Sequence, residues 1–295
     1  MTKFTDSAAV FSYRPACVLR ASGTDVAEFL QGQFTNDLRN ILPRQSVYGL
    51  WLDRKGHVIA DSHVVKSADG AGFWIVSVSS PAPIVARRLE DFIVADDVVI
   101  EDATGSWRGK SLIGEGVAEW WATERRPGLL IPGRRGSIEN WEWIFRESES
   151  GQAGAMIPGA REVSREEVER MRIGAGVPLV PVDIGPGDLP NEGGLESAAI
   201  SYSKGCYLGQ EVMARLQSRG RLRRALVRVA GSGAPPTVPA ALWRADRREG
   251  ELRSAVPDAG GRGFAGLALV SVGAARGPFS LASGMPPSLD VMPSA

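Results

Sequence analysis

The side chain best placed to do chemistry is the thiol of Cys206, within Lys204-Gly205-Cys206-Tyr207-Leu208-Gly209-Gln210-Glu211. A helix is expected to open just after it. Free amides at that helix end and the Lys204 ammonium both favour the thiolate, while Glu211 opposes it. The competing reading is an inert cysteine at a helix entry, since free cysteine is among the most buried residue types. Downstream, Arg215, Arg219, Arg221, Arg223 and Arg224 put five guanidinium groups into ten residues. They form either a local site for a carboxylate or phosphate, or a solvated face.

Other constellations carry less. Two histidines and two cysteines are too few and too dispersed for a structural zinc site, so His57 and His63 read as satisfied imidazoles on one face of a strand. Gly261, Gly263 and Gly266 have the spacing of a dinucleotide loop but follow turn residues and lead into a strand, which leaves no helix amides for a pyrophosphate. Residues 105–111 (GSWRGKS) fall one residue short of a phosphate loop. No Gly-x-Ser-x-Gly elbow is present, so a serine-hydrolase triad has little to draw on.

The elements that must hold these groups are read from periodicity. A helix is expected from Ser22, with Asp25 as its capping partner, to Gly32, and a second from Ser80 with Pro81 in its first turn. Runs at 47–52, 58–65, 73–78, 98–101, 110–113 and 141–145 read as strands. A capping box, Ser164 with Glu167, opens a third helix ending at Gly174, and a fourth follows Cys206 and stops at Gly220. The Gly- and Pro-rich stretch between Gly174 and Gly194 is too apolar for a free linker and reads as an ordered segment lining something. Beyond Arg221 only strand-like runs occur. The mixed order argues for α+β.

The 295 residues suit about two domains. With 34 basic and 34 acidic residues, no long-range field draws the molecule to nucleic acid or to an anionic membrane. No uncharged run reaches the roughly 18 apolar residues of a membrane span, and the first 20 residues have no signal-peptide core, so the chain is expected in the cytoplasm.

The octapeptide at 204–211 resembles the signature of the YgfZ family of folate-binding proteins, relatives of the aminomethyltransferase of the glycine cleavage system. Similar matches run in the same order at 29–37 (FLQGQFTND), 52–61 (LDRKGHVIAD), 172–178 (RIGAGVP) and 189–196 (LPNEGGLE). The resemblance implies a folate-binding region at 1–222 of two interleaved α+β subdomains around a central cavity, and a C-terminal β-barrel at 223–295. It implies tetrahydrofolate, or a derivative, in that cavity. It also implies an accessory role in iron–sulfur cluster assembly or repair, including for enzymes that modify tRNA. On this reading Cys206 and Lys204 are the reacting pair. Asp37, Asp61, Arg172, Glu192, Tyr207, Gln210, Glu211 and Arg223 contact the cofactor. The partners are folate and iron–sulfur client enzymes or assembly factors, with no direct nucleic acid and no membrane, and the chain is a monomer. The rival is a folate-dependent aminomethyltransferase or other one-carbon transferase. True aminomethyltransferases are expected to carry two adjacent Asp where this chain has Ala60-Asp61, which argues against aminomethyl transfer.

Overall fold

The computed structural model describes residues 8–123, 126–153 and 159–293. The chain enters through β1 (Ala9–Tyr13) and β2 (Cys17–Ser22), then forms α1 (Val26–Gln33), β3 (Ser46–Leu52), β4 (Val58–Lys66), β5 (Gly72–Ser77) and α2 (Ala82–Glu90). It continues through β6 (Val99–Asp102), β7 (Trp107–Ile113), α3 (Val117–Ala122), β8 (Leu129–Pro132), β9 (Asn140–Arg146), α4 (Ser150–Ala153), β10 (Arg161–Glu162) and α5 (Arg165–Gly174). After an irregular stretch come α6 (Glu196–Ala199), α7 (Gln210–Arg219), β11 (Arg224–Ser232), β12 (Ala240–Arg244), β13 (Arg247–Pro257), β14 (Gly263–Ser271) and β15 (Leu289–Val291).

The first sheet has the order β3-β4-β5-β2-β6, and every neighbouring pair is antiparallel. Period-two alternation gives it two different faces. Ala60 and Val64 of β4 point into an apolar core shared with Phe29 and Leu30 of α1 and Val85 and Leu89 of α2. The opposite face of β4 presents Asp61, His63 and then Val65, and Val65 packs with Trp74 and Val76 against Trp107, Ile131 and Ile144 of the second sheet. That second sheet runs β10-β1-β7-β9-β8, with β1 antiparallel to β7 and parallel to β10. The two sheets therefore face each other, with helices on the far side of the first.

Two expectations about helices differ from what is observed, and both for one reason. Ser22 does not cap α1, because it is the last residue of β2 and pairs with Gly72 and Val99. Asp25 takes the N-cap position, and its carboxylate accepts from the Asp97 amide instead. Ser80 likewise gives its hydroxyl to Asp61 rather than to α2, which begins after Pro81. Partners distant in sequence claim the Ser22 backbone and the Ser80 hydroxyl ahead of the local caps. The third helix behaves as its sequence says: Ser164 accepts from the Glu167 amide and Glu167 from the Ser164 amide, closing the capping box.

The Gly- and Pro-rich segment is ordered and buried. Val180 and Ile184 pack with Leu50, Leu52 and Val58 on one side and with Tyr207 and Met213 on the other. The C-terminal strands form a third sheet, β12-β13-β14-β11-β15. Bridges from Ser280 to Trp243 and from Phe279 to Leu289 join its outer strands, closing it into a small barrel around Phe264, Phe279 and Leu289. Residues 258–262 are the hairpin turn between β13 and β14, so Gly261 serves the turn and Gly263 and Gly266 lie in β14. The expected α+β class with a C-terminal barrel is what the chain adopts. Among the described residues no helix is long and apolar enough to cross a membrane.

Candidate functional site

Between the first two sheets lies a narrow cavity of about 40 Å³, room for ordered water and well below the roughly 300–1,000 Å³ of a site already open to a small molecule. Its sheet-one wall is Tyr48, Asp61, His63 and Ser77, and its sheet-two wall is Pro132, Arg134, Arg135 and Glu142. Pro178 and Leu179, from the buried irregular segment, complete it.

Asp61 is its chemical centre. Oδ1 accepts from the hydroxyls of Ser77 (2.9 Å) and Ser80 (2.7 Å), and Oδ2 from Tyr48 (3.1 Å). A carboxylate offers about four acceptor positions, so three donors leave one vacant. Burial raises the Asp61 carboxyl above the ordinary range, while the Ser80 and Ser77 hydroxyls, Arg134 and Tyr48 pull it back. His63 is buried two residues along the same face, and its Nδ1 has no partner. Burial first, and Arg134 second, push the imidazole down to about 3, so it is neutral at physiological pH.

The opposite wall is built from arginines. Arg135 is buried and donates through Nε to Glu142 Oε1 (2.8 Å) and Ser111 Oγ (3.1 Å), yet its Nη2 is left without a partner. Arg134 lies over the Tyr48 ring, 4.3 Å from its centroid. These unpartnered polar atoms on two facing walls can be completed by water or by a polar ligand group.

The Cys206 loop stands elsewhere, against the end of α1. Cys206 itself is exposed, and Gly209 follows with positive φ before α7 begins. A Cβ at Gly209 would lie 2.9 Å from the Asp53 carbonyl oxygen, so only glycine lets the loop rest on the turn at 53–56. Lys204 is turned inward: Nζ donates to the carbonyls of Gln31 (2.7 Å), Phe34 (2.6 Å) and Asn36 (2.8 Å). Burial pushes this ammonium down to about 8. With three donors and three acceptors it has none left for the thiol, so Lys204 fastens the loop and does not activate Cys206.

The other expected residues scatter. Of the expected cofactor contacts, only Asp61 lines the central cavity. Asp37 sits in a neighbouring groove with Arg44 and Trp141 that shares Pro132 with the cavity, and the hydrogen bonds from Arg39 hold it well below the usual carboxylate range. Arg172 is buried on Asp183 (2.6 Å) and Ser254 (3.1 Å), bridging α5, the irregular segment and β13. Glu192 accepts from Arg224 (2.7 Å) and ties that segment to β11. Tyr207 is buried near Ile184, its phenol pushed by burial up to about 12. Gln210 and Glu211 open α7, where Glu211 pairs with Arg215 (2.9 Å), and Arg223 is exposed at the foot of β11. The arginine run at 215–224 does not line the cavity. Sequence reasoning missed Tyr48, Arg134, Arg135 and Glu142. The one available signal was the even spacing of His63 from Asp61, which puts both on one strand face.

Position 60 also needs correction. Ala60 is fully buried in the apolar core on the far face of β4. An acid there would point away from the cavity, so its absence removes no cavity group, and the acid that faces the cavity is present.

No protein-family model matches the chain. The tRNA-modifying protein YgfZ of Vibrio vulnificus (strain CMCP6) is 26% identical over 224 residues, 74% of this chain and 68% of that protein. Its namesake from Escherichia coli (strain K12 / DH10B) is 24% identical over 223 residues, 72% of this chain and 68% of its own. The chain is similar to the YgfZ proteins. In three dimensions it superposes on the glycine cleavage system aminomethyltransferase T of Bartonella henselae with a TM-score of 0.76 at 18% identity, covering 97% of this chain and 85% of that one. This shared fold with an aminomethyltransferase, alongside sequence similarity to YgfZ, is what the signature and its companion motifs led one to expect.

Proposed function

We propose that this chain is a folate-binding accessory protein related to tRNA modification, serving iron–sulfur cluster assembly or repair through tetrahydrofolate and Cys206. The observation that carries the folate reading is the cavity between the sheets. It joins an apolar lining (Val76, Pro132, Pro178, Leu179) to a carboxylate with one vacant acceptor position and to two buried, unpartnered nitrogens. A reduced pteridine is flat, partly apolar and edged with amide and amine N–H groups beside a carbonyl oxygen. Asp61 can accept from the N–H edge, and Arg135 Nη2 can donate to an acceptor, so the lining suits the group in chemistry, and the two walls must part to admit it. Tyr48, through its hydroxyl, and Ser77 and Ser80 hold the Asp61 side chain in one orientation. Bound there, tetrahydrofolate supplies a carrier for one-carbon units. The tRNA-modification link comes from the names of the YgfZ relatives, and the iron–sulfur role and the need for Cys206 come from the resemblance of the signature loop.

A one-carbon transferase is the second reading, favoured by Asp61, the cavity-facing acid that aminomethyl transfer would use to orient the reacting amine. Titration calorimetry with reduced folates tests the first claim: binding by the wild type and at least tenfold weaker binding by Asp61→Asn is expected, and a flat wild-type titration removes folate. A deletion strain assayed for iron–sulfur enzymes beside glycine cleavage separates the two readings. Loss of the former alone, rescued by the wild type but not by Cys206→Ser, is expected.

A further inference from the structure

Strand β3 ends the first sheet and β8 ends the second, and both edges border the space between the sheets. Tyr48 and Pro132 of these edges line the cavity, and Ser46, Val47, Leu130 and again Pro132 line a groove just outside it. The groove measures about 580 Å³, within the roughly 300–1,000 Å³ of small-molecule sites. Its aromatic side is Trp141, whose indole Nε1 is fixed on Glu139 (2.7 Å).

Arg44 gives the groove its charge. Pro43 and Arg44 are the central residues of a turn closed by the Gln45 amide on the Leu42 carbonyl (3.0 Å), and Arg44 has a φ of 69° there. That position of a type II turn favours glycine or asparagine, because other side chains are strained at positive φ. An arginine kept at that cost lines the groove, and among the described residues its exposed guanidinium pairs with no carboxylate and makes no hydrogen bond. The acid of the lining, Asp37, is already taken by Arg39 (3.0 Å) and Gln31 (3.1 Å). A free guanidinium beside an apolar and aromatic wall suits a ligand that joins a flat ring to a carboxylate. The spacing from the cavity suits it too. The Arg44 amide donates to the Lys66 carbonyl (2.9 Å), five residues along β4 from Asp61, so roughly 16 Å of strand separates Arg44 from Asp61.

We infer that the groove receives the p-aminobenzoyl-glutamate arm of a folate, with the benzoyl ring against Trp141 and Pro132 and a glutamyl carboxylate on Arg44. This rests on the folate reading, in which Asp61 holds the pteridine and the arm must leave the cavity between the two sheet edges. A bare pterin has no arm. Arg44 therefore discriminates tail-bearing folates from pterins of the same ring chemistry, and the arginine run at 215–224 takes no part.

The test compares tetrahydrofolate with 6-methyltetrahydropterin, which keeps the reduced ring and lacks the arm, by calorimetry on the wild type, Arg44→Gln, Arg44→Lys and Arg44→Gly. A charge contact at a site open to water is worth roughly fivefold in affinity. The wild type should bind tetrahydrofolate more tightly than the pterin, with the difference shrinking as salt rises. Arg44→Gln should lose about fivefold for tetrahydrofolate and nothing measurable for the pterin, and Arg44→Lys should recover part of the loss. Arg44→Gly should lose as much binding as Arg44→Gln yet unfold no earlier than the wild type, since glycine takes the positive φ without strain. That separates a residue kept for the ligand from one kept for the fold. Equal losses for both ligands, or no loss for either, would overturn the assignment while leaving folate binding intact. A wild type that binds neither ligand would instead remove the folate reading on which it rests.

Discussion

Replacing Lys204 with methionine tests whether this side chain fastens the Cys206 loop or activates its thiol. Methionine keeps the length of the stem and removes the three N–H donors. The Phe34 carbonyl is sealed in the core, and leaving it without a donor costs about 1–3 kcal/mol. The carbonyls of Gln31 and Asn36 are half-buried and can take water in place of the ammonium, adding on the order of 0.5–1 kcal/mol each. Relief from burying a charge returns part of this, so the net loss should be about 2–3 kcal/mol. Urea unfolding measures it, and the rate of Cys206 alkylation against pH measures thiol acidity. If Lys204 is a fastener, the unfolding midpoint falls and the pH at which alkylation turns on stays put. A stability loss below about 0.5 kcal/mol, with the alkylation profile moved to higher pH, would refute the reasoning and restore Lys204 as the activator.

His63 should make stability depend on pH. Its folded value, about 3, lies below its ordinary value near 6.5, so the unfolded chain takes up the proton first and stability is lost as pH falls from 6.5 towards 3. Between pH 7.5 and pH 5 this amounts to about 2 kcal/mol, which urea midpoints of His63→Leu against the wild type should show as a flatter profile. Asp61, raised by burial, acts in the opposite sense, gaining stability as pH falls below its folded value, so Asp61→Asn should steepen the acid loss seen in unfolding. Cys17 is fully buried and its thiol donates to the Ile75 carbonyl. Cys17→Ser should lower stability by about 1 kcal/mol in the same urea assay yet still rescue a deletion strain. Reconstituted with the other components of glycine cleavage, the protein should show no aminomethyl transfer above background, and turnover within tenfold of a true aminomethyltransferase would promote the second reading.

What the sequence revealed followed the range of the forces involved. The helix at 165–174 and the one at 210–219 were legible because their caps and terminators are local. The barrel strands were legible because alternation and Gly turns are local too. Ser22 and Ser80 misled because each hydroxyl or backbone is claimed by a partner distant in sequence. The cavity was half legible. Asp61 stood out through a motif, but Arg134 and Glu142 come from a different sheet, and only the packing of Val65 and Trp74 against Trp107 and Ile144 brings them opposite. Lys204 was misassigned because two residues along the chain looked close to Cys206, whereas its real partners lie about 170 residues back.

That separation has a consequence for how the molecule is made. The carbonyls that end α1 wait for Lys204, the Thr35 hydroxyl waits for the Ala199 carbonyl, and the Gly32 carbonyl waits for the Leu208 amide. At roughly 5–20 residues per second on a ribosome, 168 residues take about 8–34 s to synthesise. During that interval the first sheet and its helices are present with one end unfinished, and nascent chains stalled before residue 204 should be clipped by protease near residues 31–36, whereas chains stalled past residue 208, with the loop clear of the exit tunnel, should not.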